Sequence, residues 1–309
     1  MIVALAGGVG AARFLDGLAR IVPPRELFII GNVADDAEIH GLHIAPDLDT
    51  VMYTLAGIAN RRQGWGLERE TFHCLQALEQ LGGEAWFQLG DRDLATHLYR
   101  TDRLRAGAAL SDVTRELSTA LGVKARIVPA TDSRLRTVVR TRQGRLDFQD
   151  YFVRRRARDS VAGLDFEGAR KSRPAPGVLD AIAGAKAVIL CPSNPFISIG
   201  PILAVPGIRD ALRRAAAPVV AISPIVAGRA LKGPAARMMK SMGHAVSAAA
   251  VAGLYRDFLD VFVLDRADAK LAHEVEALGM RAIVTNTIMS GVPQRRALAR
   301  AVLRAVGRQ

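Results

Sequence analysis

Four aspartates fall within fifteen residues: Asp35 and Asp36 after an apolar run, then Asp47 and Asp49 inside Pro46-Asp47-Leu48-Asp49-Thr50. Carboxylates gathered this closely repel one another unless a cation lies between them, and oxygen donors of this kind suit Mg²⁺. In extended chain after Pro46, Asp47 and Asp49 project from the same face. The plainer alternative is that Asp49 caps a helix starting near Thr50 while Asp35 and Asp36 sit in a turn. A second group precedes them, Gly7-Gly8-Val9-Gly10 followed by Arg13. Glycines between a strand and a helix let backbone N–H groups approach phosphate oxygens at a positive helix end. Arg13 stands where a dinucleotide fingerprint has its third glycine, and adds a cation for a phosphate or carboxylate.

Three further segments carry polar chemistry. Leu89 to His97 packs Asp91, Arg92, Asp93 and His97 together; Asp91 or Asp93 is expected to cap the next helix, and His97 to partner a carboxylate or touch a ligand. Cys191-Pro192-Ser193-Asn194-Pro195 leads to Ser198, so Ser193, Asn194 and Ser198 offer short donors to a phosphate, ribose or base edge. Ser223-Pro224, then Lys232-Gly233-Pro234, add a third loop and a cation. No GxSxG elbow is present, and Cys74 and Cys191 form no CxxC pair. His40 and His43 lie near Asp47 without a third nitrogen or sulfur ligand, which argues against zinc.

These loops need a scaffold that brings them to one edge. Short apolar runs at 2–6, 27–32, 187–192, 218–223, 261–265 and 282–285 predict buried parallel strands. Helices are expected over 67–81, stopped by Gly82-Gly83, and over 112–121, capped by Ser111 and ended by Gly122. The pattern is that of an α/β fold, a Rossmann-like parallel sheet with helices on both faces. The core is expected at 1–60 and 175–309, with an inserted α/β subdomain at 61–174. That insertion contains strands at 126–128, 136–141 and 146–153, a Gln143-Gly144 turn, and a basic loop from Arg154 to Arg173.

The bulk numbers set limits. The net charge is +12, but 36 of the 42 basic residues are Arg, scattered along an Ala-rich chain, and only 5 % of residues are aromatic. No basic stretch is interleaved with stacking aromatics, so nucleic-acid binding is disfavoured. No uncharged apolar run reaches membrane-spanning length and no signal-peptide pattern opens the chain, so a cytoplasmic location without membrane contact is expected.

Taken in order, the blocks resemble the 2-phospho-L-lactate transferase family (CofD/FbiA). The resemblance rests on Gly7-Gly8-Val9-Gly10, Asp35-Asp36, His40-Gly41-Leu42, Pro46 to Thr50 with Met52-Tyr53, and Gly64-Trp65-Gly66. It continues through Glu70 to His73, Leu89 to His97, Thr131-Asp132, Phe148-Gln149, Pro192 to Pro195, Ser223-Pro224-Ile225 and Lys232-Gly233-Pro234. It implies transfer of a phospho-acyl group (2-phospholactyl, phosphoenolpyruvyl or phosphoglyceryl) from a guanosine diphosphate-linked donor to the deazaflavin Fo. GMP is released, in coenzyme F(420) biosynthesis, by a Mg²⁺-dependent homodimer. By the same resemblance Asp49 contacts Fo and serves as general base, with Gln88 and Arg92 in the Fo pocket; some members carry Lys in place of Gln88. Asp35, Asp36 and Asp47 hold the metal, and Gly7, Gly8, Gly10, Arg13, Ser193, Asn194 and Ser198 hold the nucleotide.

Two rivals belong to other classes. A related group of nucleotide-sugar-binding regulators of gluconeogenesis carries a glycine- and serine-rich stretch after the aspartate pair, where this chain has Ala37-Glu38-Ile39-His40. A nicotinamide-dependent dehydrogenase would use Asp35 as its ribose acid, and Arg13 argues against it.

Overall fold

The computed structural model describes residues 1–307. Its centre is one sheet of seven strands: β1 (Ile2–Ala6), β2 (Leu27–Gly31), β3 (Arg126–Pro129), β4 (Ala187–Leu190), β5 (Val219–Ile222), β6 (Val261–Asp265) and β7 (Arg281–Thr285). Every neighbouring pair is parallel, in the order β7-β6-β5-β4-β1-β2-β3. Strands β1, β2, β4, β5 and β6 are buried along their whole length, as helices on both faces require. The expected Rossmann-like α/β fold is therefore present. The order reverses between β1 and β4, which opens a crevice at their carboxyl ends. Helix α1 (Gly8–Ala19) leaves that crevice and packs on the C-terminal helix Val292–Ala305. Gly17 permits the contact, since a Cβ there would lie 2.4 Å from the Arg295 carbonyl oxygen.

The sheet reaches into the range expected for the insertion, because β3 pairs with β2 as an edge strand. Beyond it a three-stranded antiparallel sheet places Arg136–Thr141 between Gly144–Asp147 and Val161–Glu167. Two expectations fail here. The strand over 146–153 stops at Asp147, and the chain turns into the helical segment Asp150–Arg154 so that Phe148 and Tyr151 enter a cluster with Val139, Ile197 and Met238. The basic loop over 154–173 contains the strand Val161–Glu167. Its outward acids, Asp165 and Glu167, pair with Arg140, Arg145 and Arg136, which hides the strand among charges.

Four helices between β2 and β3 bear on the site: α2 (Pro46–Leu55), α3 (His73–Gln80), α4 (Asp93–Arg105) and α5 (Leu110–Ala120). The helix expected over 67–81 is thus only α3. Gly66 and Arg69 have positive φ, Leu67 bridges to Ala59, and the Asp91 carboxylate accepts the N–H groups of His73 and Cys74. Glu70 caps α4 in turn by accepting from the N–H groups of Arg92 and Asp93, so neither Asp91 nor Asp93 caps it. Ser111 does not cap α5 either. It lies inside the first turn, where both its N–H and its hydroxyl bond to Asp132.

Candidate active site

The glycine loop sits at the carboxyl end of β1, in the crevice. Gly8 has φ +71°, a left-handed conformation suited to glycine, and its N–H hydrogen-bonds the carboxylate of Asp47. Asn32, just past β2, donates from Nδ2 to Asp47 (2.9 Å) and to the Ile197 carbonyl (3.1 Å). Ser193 donates its hydroxyl to the Gly7 carbonyl (2.9 Å), so the loops after β1 and β4 clasp each other. Gly10 lies against this clasp, and a Cβ there would stand 2.2 Å from the Pro192 carbonyl oxygen. The clash is with backbone rather than with a movable side chain, so Gly10→Ala should destabilise the protein by at least about 2 kcal/mol. Urea unfolding measures this, and an unchanged midpoint would mean that the two loops part freely.

The four aspartates do not form one cluster. Helix α2 begins at Pro46, so Asp47 and Asp49 occupy its first turn rather than extended chain. Two residues apart on a helix is about 200° around the axis, and the two carboxylates face opposite ways. Asp47 faces the glycine loop, whereas Asp49 faces α4. Asp36 also turns away, to the ring of His43 (2.9 Å) across the hairpin of Ala37–Ile39 and Leu42–Ile44. Asp35 is buried beside Thr137 (3.4 Å), and its backbone carbonyl accepts from Gln149 (2.6 Å). Asp35, Asp47 and Asp49 line the cavity described below, and Asp36 does not. No group of three or more His, Cys, Asp or Glu converges as a metal cage among the described residues.

Burial, then the charges of Asp47 and Asp36, push the carboxyl of Asp35 well above its usual range. Burial also lifts Asp47 to about 7, against the hydrogen bond from Asn32. Asp47 therefore holds its proton to higher pH in the folded chain than in the unfolded one. Its contribution to stability is complete below about pH 4 and is lost as pH rises through about 7. The neutral variant Asp47→Asn should gain melting temperature relative to wild type over that window and hold a constant lead above it. Parallel melting curves from pH 4 to 9 check this; a lead independent of pH would mean that Asp47 is solvated.

The opposite wall is a buried polar ladder between two helices. Asp93, His97 and Arg100 lie at i, i+4 and i+7 on α4 and meet Asp49 and Tyr53 at i and i+4 on α2. Arg100, 1 % exposed, grips both oxygens of Asp49, through Nη1 (3.1 Å) and through Nη2. His97 stands 3.3 Å from Arg100 and 3.3 Å from Asp93, and the Tyr53 hydroxyl donates to Asp93 (2.5 Å). Burial tends to raise Asp93, but His97, Tyr53 and Arg100 hold it below the usual carboxylate range. Tyr53 is pushed far up by burial and by Asp49 and Asp93, so it stays a phenol. The sequence singles out His97 and carries Tyr53 only within a family block, whereas Arg100 is signalled only by its helical spacing from Asp93 and His97.

These walls enclose a cavity of about 680 Å³. At the glycine-loop end stand Arg13 and Lys232, neither ion-paired with a carboxylate among the described residues. Burial and Arg295 lower Arg13, and burial and Arg13 lower Lys232. The other end is apolar and aromatic, with Trp86, Phe87 and a stacked Phe148–Phe152 pair (centroids 5.4 Å apart). Ser198 lines the wall; Asn194 does too, but its side-chain oxygen is occupied by the N–H groups of Phe196 and Ile197. Gln88 lies at the aromatic end. Arg92 stands outside the cavity lining, donating to the Glu68 carbonyl (3.0 Å).

Comparison with known proteins follows the same lines. A family profile described as 2-phospho-L-lactate transferase CofD matches residues 2–288. A phosphoenolpyruvate transferase of Streptomyces griseus subsp. griseus is 44% identical over 308 residues, covering 98% of this chain and 97% of the relative. A 2-phospho-L-lactate transferase of Methanosarcina mazei is 39% identical over 303 residues, covering 98% of this chain and 99% of the relative. Among solved structures, a Bacillus halodurans protein of the UPF0052 family superposes with a TM-score of 0.63 at 19% identity, covering 98% of each chain; that likeness concerns the fold. No helix among the described residues is long and apolar enough to cross a membrane.

Proposed function

The chain belongs to the 2-phospho-L-lactate transferase CofD family, and from that premise we propose that it moves a phospho-acyl group from a guanosine diphosphate-linked donor to the deazaflavin Fo, releasing GMP, in coenzyme F(420) biosynthesis. The observation that carries this reading is the two-ended cavity. Its cationic end over a glycine loop suits a diphosphate, its flat aromatic end suits a fused-ring acceptor, and Asp35, Asp47 and Asp49 line the space shared by both. In the transfer, the terminal ribityl hydroxyl of Fo attacks the phosphorus that bears the acid. A new P–O bond forms, the P–O bond to the GMP phosphate breaks, and the hydroxyl proton passes to a carboxylate. Asp49 fills that role, held in place by Arg100, while Arg13 and Lys232 bear on the negative diphosphate.

Asp35 and Asp47 fit a divalent cation. Both are buried carboxyls facing the cavity, neither has an ion-pair partner among the described residues, and Mg²⁺ draws its other ligands from water and phosphate. When bound there, Mg²⁺ would offset the charge of the diphosphate. A cytoplasmic homodimer completes the proposal, and sedimentation measures the assembly state.

The test is direct. Purified protein with Fo, Mg²⁺ and donor should yield GMP and a heavier deazaflavin, followed by mass spectrometry. Phosphoenolpyruvyl is the first group to try, because the relative named for it is 44% identical against 39%. Absence of product with phosphoenolpyruvyl, phospholactyl and phosphoglyceryl donors alike would sink the reading, and tight nucleotide-sugar binding without turnover would favour a regulator.

A further inference from the structure

We propose that Arg156 reads the carboxylate of the transferred phospho-acid and so selects acid-bearing donors, an inference that rests on the transfer proposed above. Such a donor carries three anionic centres: two phosphates and one carboxylate. The cavity is lined by three Arg or Lys side chains: Arg13, Lys232 and Arg156. Two of these belong to the glycine-loop end. Gly64 sits between Val9 of that loop and the Lys232 ammonium, 3.4 Å from where a Gly64 Cβ would be, and the charge of Arg13 is felt at Lys232.

The third cation enters from a different wall. Phe148, Tyr151 and Ala157 pack with Ile197 and Met238, which fixes the segment around residues 148–157 beside the loop after β4. Phe148, Phe152 and Val153 of that segment line the cavity next to Arg156. Arg156 thus lines the cavity from a segment that carries the Phe148–Phe152 pair and packs on the loop after β4.

Arg154, Arg155 and Arg156 are all exposed, but Arg156 differs from its two neighbours in its partners. Arg154 pairs with Glu84 (3.0 Å), and Arg155 with Asp150 (3.3 Å) and Asp159 (3.6 Å). Arg156 ion-pairs with no carboxylate among the described residues. Its backbone is also unusual, with φ +54° at Arg156 and +48° at Ala157. Two successive side-chain-bearing residues in the left-handed region persist only where their surroundings enforce it. Here the Ala157 N–H donates to the Tyr151 carbonyl (2.8 Å), and Arg237 donates to the Ala157 carbonyl. An unpaired guanidinium on a braced turn is suited to a two-pronged grip on a planar carboxylate.

The experiment compares wild type, Arg156→Ala, Arg156→Lys and the rim control Arg158→Ala. It reads the KM for the guanosine diphosphate-linked phospho-acid, the KM for Fo, and the inhibition constant of guanosine diphosphate itself, which lacks the acid. For Arg156→Ala the donor KM should rise at least about 10-fold, while guanosine diphosphate inhibition and the KM for Fo stay within about twofold of wild type. Arg156→Lys should recover part of the loss, and Arg158→Ala should match wild type. An unchanged donor KM overturns the inference. Equal losses for donor and guanosine diphosphate overturn it too, because Arg156 would then be a phosphate contact or a structural prop. A wild type inactive with all three donors overturns the transfer itself, whereas an active wild type with an indifferent Arg156→Ala counts against Arg156 alone.

Discussion

Arg100→Met should lower folding stability by about 3–5 kcal/mol, a large share of what a chain of this kind has to lose. Methionine replaces much of the apolar stem of arginine, so the effect comes from charge rather than from volume. What remains is Asp49, 5 % exposed, without the guanidinium that satisfies both its oxygens. The pair itself need not be strongly favourable, since bringing two charges out of water offsets most of their attraction. Removing one partner is costly because the other stays buried and unpaired. The double variant Asp49→Leu with Arg100→Met should therefore recover most of the loss in urea unfolding while showing no turnover. A loss below about 1 kcal/mol in the single variant would mean that water reaches the pair.

The central sheet was legible because its strands, buried on both faces, read as unbroken apolar runs from Ile2 to Ala6 and from Val261 to Asp265. The glycine turn was legible for a related reason, since Gly8 needs a conformation that few other residues accept. Caps were not. Asp132 serves α5 from 21 residues away, and Asp91 serves α3 from 18, so the nearest Ser or Asp in sequence was the wrong choice. The site suffered from one local misreading. Pro46 marks a helix start, since its missing N–H costs nothing in a first turn, and taking the segment as extended chain put Asp47 and Asp49 on one face. Asp36 was grouped with the others by sequence, and only the hairpin through His43 shows that it points elsewhere. Arg100 stayed hidden because helical spacing names a face but not the helix that it meets.

Asp49→Asn is the second large effect, and its two consequences need separating. If Asp49 takes the proton of the attacking hydroxyl, turnover should fall by at least roughly 100-fold. The amide also meets Arg100 badly, because one of its two ends now offers N–H groups where a carboxylate oxygen accepted. A stability loss of about 1–3 kcal/mol is expected from that mismatch. A chain that stays folded at the assay temperature isolates the chemical part, so the rate is to be measured well below the melting transition of the variant. The donor KM should stay near wild type, since in the proposed mode the diphosphate is held by Arg13 and Lys232 rather than by Asp49. Turnover near wild type in a folded Asp49→Asn protein would leave Asp49 as the counter-ion of Arg100. The proton would then pass to another carboxylate of the cavity lining, Asp35, Asp47 or Asp93.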